Sequence, residues 1–314
     1  MSDKIKSDIV NEVRLAGKVA EIEVKTGETK EKKIPFVSIK GAIQFGDDKV
    51  HTRRFETYVQ KEKSAGGENK LYAPTLKWAE SAQSIAKVGF DEATVVEVQG
   101  GYENNDYVNV EEKLIEGLNI SGKFFNDFDA DKGFKGTADI EGYIQSIVEE
   151  TKGEDKTETG RLRMNLITAD FFGNIIPIKN IIVDKELHDD FLSGYEVGQS
   201  AIFYVDFVPN KGDPKPKKTG GLGVQRETEG KSYLEMVVTG ASPAIEEDDP
   251  NGISKEAVKI ALSERKAKLA ELVEKGYQGT SSSTKKSDRT SIGSKAKPAN
   301  RAKPKPAADD DIVF

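Results

Sequence analysis

One order of patterns runs through this chain twice, and it narrows the choice of fold more than any other feature. The first copy opens with "NEVRLAGKVAEIEVKTG", in which apolar and polar residues alternate around Gly17. "IPFVSIKGAIQFG" and "KVHTRRFETYVQ" also alternate and are rich in β-branched and aromatic residues, so three strands are expected. The period then changes. "YAPTLKWAESAQSIAKVGF" sets Trp78, Ala82, Ile85 and Ala86 at helical spacing, with Pro74 suited to a first turn and Gly89 to a C-cap. "ATVVEVQGGYENNDYVNVEE" and "LNISGKFF" return to strand.

The second copy begins at "GTADIEGYIQSIVEETKGE", where Gly142 stands in the place of Gly17. "GRLRMNLITADFFGNIIPIKNIIV" supplies two strands, and "DKELHDDFLSGYEVGQ" takes the place of the helical connection. "SAIFYVDFVPN" and "SYLEMVVTGASP" close the set. Five short strands with a helix between the third and fourth follow the order of the OB-fold, a small Greek-key barrel. The expected architecture is therefore all-β dominated: tandem OB-folds over residues 1–126 and 127–247, one helix within 248–277, and a disordered tail over 278–314. Ser254 is the expected N-cap of that helix. Ala257, Val258, Ala261, Leu262, Leu269, Leu272 and Val273 lie along one face, which suits packing on a barrel or on a second copy. The tail ("TSSSTKKSDRTSIGSKAKPANRAKPKP") has no aromatic residue and is rich in Ser, Lys and Pro, a linker composition.

Composition excludes more than it assigns. The chain has no cysteine, which removes disulfides, thiolate metal sites and cysteine nucleophiles and suits a reducing, cytoplasmic compartment. No apolar run approaches a membrane span. The net charge of −7 does not decide the partner, because acid concentrates in "IEEDDP" and at the C-terminus while a basic face can form elsewhere. No phosphate loop, GxSxG or HExxH pattern occurs, and "TGGLGV" is a lone glycine cluster. His188 in "DKELHDDF" has no second histidine or cysteine to support a metal site. No enzyme activity, cofactor or metal is expected.

Aromatic and basic residues mark a surface instead. Alternation sends Val37, Ile39, Ile43 and Phe45 to the core, and Phe36, Ser38, Lys40 and Gln44 to the other face. Phe55 and Val59 point inward in the next strand, so Arg54 and Tyr58 point outward, with Arg53 near the barrel end. The loop "GGYENNDYV" offers Tyr102 and Tyr107 beside that face. In the second region Leu162, Met164 and Leu166 point one way and Arg161 and Arg163 the other. Phe171 and Phe172 lie at a turn, Lys179 in the next strand, and Lys215, Lys217, Lys218 and Arg226 in a long Pro- and Gly-rich loop. Aromatic faces that stack bases, interleaved with cations for phosphates, are what single-strand binding uses. For Phe36, Phe171 and Phe172 a core position is the competing reading, whereas Trp78 is assigned to the core.

The chain ends in Asp309, Asp310, Asp311, Ile312, Val313 and Phe314. An apolar tip gains nothing in water, so "DDDIVF" reads as bait for another protein's pocket. It resembles the acidic tip of bacterial-type single-stranded DNA-binding proteins, in which acidic residues precede an apolar run ending in phenylalanine. Those proteins also carry an OB-fold before a flexible tail. The resemblance implies binding of single-stranded DNA during replication, recombination and repair, with the tip recruiting proteins of those processes. This chain departs from the family in having Val313 where proline is usual and two barrels where one is usual. The second departure suggests a virus-encoded (phage) relative acting in a host cytoplasm. The competing class is a structural or adaptor protein of two β-barrels that binds no DNA.

Overall fold

In the computed structural model the described residues are 8–46, 49–152, 155–212, 232–246, 249 and 252–277, with the backbone of 215–216 and 227–228. The first half comprises β1 (Asn11–Glu28), β2 (Pro35–Gln44), β3 (Thr52–Gln60), the helices α1 (Tyr72–Ser81) and α2 (Ile85–Val88), β4 (Val95–Asn104), the short pair β5 (Tyr107–Val108) and β6 (Leu114–Ile115), and β7 (Leu118–Asn126). The second comprises β8 (Lys135–Lys152), β9 (Thr157–Ala169), β10 (Ile175–Val183), α3 (His188–Gly194), β11 (Ser200–Lys211), the short pair β12 (Lys215–Pro216) and β13 (Glu227–Thr228), and β14 (Ser232–Ala241). Helix α4 (Lys255–Lys275) follows.

The main sheet runs β11-β14-β10-β9-β8-β1-β2-β3-β7-β4 and closes on itself twice, through β1–β4 and through β11–β8. Each closure makes a five-stranded circuit in which the third and last strands pair parallel. That is the strand order of the OB-fold, present in both halves. Closure requires the opening strand to serve two partners. Val13–Lys18 of β1 pairs with β4, and Lys18–Glu28 pairs with β2, across a bulge between Val19 and Glu21. Gly17 sits at this bend, where a Cβ would run into the carbonyl of Gln44. In β8, Thr137–Tyr143 pairs with β11 and Tyr143–Lys152 with β9, and a Cβ on Gly142 would lie 3.1 Å from that of Leu166. The two glycines that mark the repeat in sequence therefore mark the same bend in both barrels.

The barrels share one sheet and one core. Residues Asn11–Ala16 of β1 pair antiparallel with Lys135–Ile140 of β8, and the Phe45 and Phe207 rings meet across the junction at 6.2 Å. Val37, Ile39, Ile43, Phe45, Phe55, Val59, Leu162, Met164 and Leu166 are all buried, as alternation predicts. Gln44 departs from that pattern. Gly41 to Phe45 are buried without a break because this end of β2 is covered on both sides, and the Gln44 amide donates to the Gly46 carbonyl at 2.9 Å.

The helical segment also departs in one respect. It breaks at Ala82, whose backbone is extended, because Gln83 donates to the Thr94 hydroxyl and accepts from the Thr94 amide at the start of β4. Gly89 ends α2 with φ +90° and donates to the Ile85 carbonyl. Trp78 of α1 is partly buried and stacks on Phe125 at 4.1 Å, closing the barrel end. In α4 the Ser254 hydroxyl caps the Ala257 amide at 3.1 Å, and Ala257 and Val258 pack with Ile253 against Tyr143, Ile167, Ala169 and Ile175 of the second barrel. The helix thus packs on a barrel. Among the described residues no helix is long and apolar enough to cross a membrane.

Candidate nucleic-acid interface

Strands β2 and β3 pair antiparallel with Ser38 opposite Tyr58, Lys40 opposite Glu56 and Ala42 opposite Arg54. This register puts Phe36, Lys40, Arg54 and Tyr58 on one outer face, as sequence alternation predicts. The rings of Phe36 and Tyr58 stand 5.3 Å apart, and Tyr58 is 56% exposed. Its hydroxyl accepts from the Gln60 amide at 3.2 Å, which steadies the ring without covering it. Lys40 meets Glu56 at 3.2 Å in an ion pair open to solvent, an arrangement worth about 0–1 kcal/mol and easily exchanged for a phosphate. Arg54 is exposed and forms no ion pair among the described residues. A recess of about 750 Å³ opens at this end of the face, lined in part by Lys49, Thr52, Arg53 and Arg54. Tyr107 stands apart on the β5–β6 hairpin, 49% exposed.

Two residues expected on this surface are turned elsewhere. Tyr102 is 1% exposed, so it offers no ring for stacking. Strand β4 runs through the Gly100–Gly101 pair to Asn104, which leaves Tyr102 in a strand at the barrel junction rather than in a loop. Its hydroxyl donates to the Met236 sulfur at 3.3 Å, and its amide donates to the Asn11 side chain at 2.8 Å. Burial pushes this phenol up to about 12, against the opposing pull of Arg53. Arg53 lies 5.1 Å from the centre of the Phe207 ring of the second barrel, a cation–π contact across the junction.

The matching face of the second barrel is occupied. Arg161 donates to Glu235 at 2.6 Å and lies 3.4 Å from Glu150, with Asp184 at 3.8 Å. Arg163 donates to the other oxygen of Glu150 at 2.6 Å. The Arg161, Glu150 and Glu235 side chains are 19%, 7% and 8% exposed, so these carboxylates hold Arg161 inside the protein rather than presenting it to a phosphate. Further along the same face Ile167, Ala169 and Ile175 lie under α4. Phe171 and Phe172 are 73% and 82% exposed on the β9–β10 turn, which places them on the surface and not in the core. Lys179 is exposed in β10. Lys217, Lys218 and Arg226, the Lys215 side chain, and Asp309 to Phe314 lie outside the described residues.

His188 of α3 is flanked by Asp189 at 2.8 Å and Glu149 at 2.9 Å, and these hydrogen bonds raise its pKa above the ordinary 6.5. Arg265 is a residue that sequence reasoning missed. It sits on the buried side of α4 and forks onto Asp106 at 2.6 and 3.0 Å, with Glu116 at 3.3 Å. A signal was present: the apolar stripe leaves one turn empty between Leu262 and Leu269, and Arg265 fills it. A second recess of about 720 Å³ lies beside this pair, lined by Tyr102, Phe171, Phe172, Arg265, Lys268 and Leu269 among others.

The family described as YorF matches residues 9–275. Among curated proteins none matches. Among solved structures the chain is similar to a deletion mutant of the single-stranded DNA binding protein from Thermus aquaticus, with 11% identity and a TM-score of 0.46 over 78% of this chain and 100% of that one. For the wild-type protein of that organism the values are 10% and 0.43, over 74% and 92%. For the mitochondrial single-stranded DNA binding protein of S. cerevisiae they are 12% and 0.25, over 38% and 96%.

Proposed function

The chain belongs to the YorF family, and we propose that it binds single-stranded DNA, with little sequence preference and without catalysing a reaction, through the outer face of its first barrel. The observation that carries this reading is the ring pair of half-buried Phe36 and exposed Tyr58, flanked by Arg54 and Lys40 on β2 and β3. Two rings 5.3 Å apart offer stacking surface to successive bases, and the cations beside them meet phosphates. Phe171, Phe172 and Lys179 extend the path over the second barrel, and Lys215, Lys217, Lys218 and Arg226 are further DNA contacts. Residues 1–126 and 127–247 are the two modules, and the service is to DNA replication, recombination or repair, in a virus-encoded variant of the single-strand binders. Asp309 to Phe314 recruit partner proteins: the phenylalanine enters an apolar pocket, and the carboxylates meet cations at its rim.

A gel shift with single- and double-stranded oligonucleotides, with and without magnesium, tests the reading. Preferential retention of the single strand without magnesium-dependent cleavage is expected. Absence of any shift would favour the rival, an adaptor of two barrels, for which the closed face of the second barrel is the supporting observation. A chain ending at Val313 should keep its melting temperature and its DNA binding, yet lose replication or repair proteins in pull-downs at matched salt. Equal recovery by both chains removes the recruitment role.

A further inference from the structure

The connection between β4 and β7 leaves the barrel as a hairpin that lies against α4. Its strands β5 and β6 pair only with each other, at Tyr107 with Ile115 and Val108 with Leu114, and join no other strand of the sheet. The tip is self-contained: Asn109 accepts through its side chain from the amides of Glu111 and Lys113, and Glu112 takes φ +57°. The hairpin also leans on α4, with Val108 buried, and its polar anchors lie at its base. There Asn105 donates to the Gly117 carbonyl at 2.9 Å. Arg265 then reaches both arms at once, forking onto Asp106 on the outgoing arm and touching Glu116 on the returning one. The Arg265 and Asp106 side chains are 11% and 10% exposed, so this charge pair is shielded from salt. Helix α4, which carries Arg265, is itself seated on the second barrel through Ile253, Ala257 and Val258.

We propose that Arg265 is a positioning residue for the single-strand interface: it fixes the β5–β6 hairpin, and with it Tyr107, relative to the rest of the binding surface. This rests on the reading above. A bidentate guanidinium contact sets orientation as well as distance, which a lysine at the same place would not do. Neutralisation matters as well, because without Arg265 two carboxylates would stand uncompensated at the base of a loop meant to meet phosphates. The device also links the barrels, since a side chain anchored on the second sets the flap of the first.

The experiment compares Arg265→Gln and Arg265→Lys with the full-length wild type by amide hydrogen exchange and by affinity for a short single-stranded oligonucleotide, each repeated in a Tyr107→Ala background. In Arg265→Gln, exchange across residues 105–117 should quicken roughly tenfold or more while β1 to β3 stay protected. Affinity should fall several-fold, and that fall should shrink or vanish when Tyr107 is already alanine. Arg265→Lys, which keeps the charge but not the fork, should lie between and serves if the glutamine variant does not fold. Unchanged exchange in 105–117 overturns the proposal, as does an affinity loss of the same size with and without Tyr107. If the wild-type chain binds no single-stranded DNA, the proposed function falls, and exchange alone decides whether Arg265 holds the hairpin.

Discussion

The two barrels share a strand order, a bent opening strand and a glycine at the bend, yet their outer faces have opposite fates. On the first, Arg54 is open and Lys40 pairs with Glu56 in solvent. On the second, the arginines of β9 are paired with buried carboxylates, Glu150 on the adjacent β8 and, for Arg161, Glu235 on β14 two strands away. The helical connections differ too. In the first barrel Trp78 stacks on Phe125, whereas in the second His188 joins α3 to β8 through Glu149. The same topology can thus present a cation to a ligand or use it as internal structure. A carboxylate stands beside Lys40 as well as beside Arg161, so the decision rests on whether water reaches the pair.

The largest expected effect concerns the second barrel. Arg161→Ala removes the counter-charge of buried Glu235 and one of the two on Glu150, and should destabilise the protein by about 3–5 kcal/mol. Urea unfolding measures it, and a loss below about 1 kcal/mol would mean that the two arginine sets do not differ in kind. Next comes the first barrel. Tyr58→Ala should cost about 1–3 kcal/mol in single-strand affinity, read by fluorescence anisotropy, with stability nearly unchanged. An equal loss from Phe172→Ala would sharpen the picture differently, by showing that the second barrel contributes through its turn rather than through its strands.

Arg54→Ala is the counterpart of the first variant and should change stability by no more than about 0.5 kcal/mol. It should lower the slope of log affinity against log salt by about one phosphate's worth. A slope identical to wild type would remove Arg54 from the interface.

The smallest effect belongs to His188. Its folded pKa is raised, so its pairing with Asp189 and Glu149 contributes fully below the unfolded value near 6.5 and fades as pH rises through the folded value. Melting temperatures across that window, compared with those of His188→Gln, should show the contribution shrinking only in the wild type. A pH dependence that survives in the glutamine variant would assign it to other groups.

Local pattern was enough for the ten barrel strands and their order, the inward set from Val37 to Val59, the capped helix at Ser254, and the matching glycines Gly17 and Gly142. These follow from periodicity and backbone sterics, which act over a few neighbouring residues. The outward placement of Lys40, Arg54 and Tyr58 was legible for the same reason. Tyr102, Arg53 and Arg161 were not, because their positions depend on groups far away along the chain: Met236 for Tyr102, Phe207 for Arg53, Glu235 for Arg161. For Arg163 the partner Glu150 is near in sequence, but only the β8–β9 register brings the two together. Arg265 left a trace as a polar residue in an apolar stripe, while its partners Asp106 and Glu116 came from another barrel altogether. Alternation tells which side of a strand a residue takes. Whether that side meets water, a carboxylate or a second barrel is decided only when distant strands close around it, since burial and pairing are properties of the assembled surface.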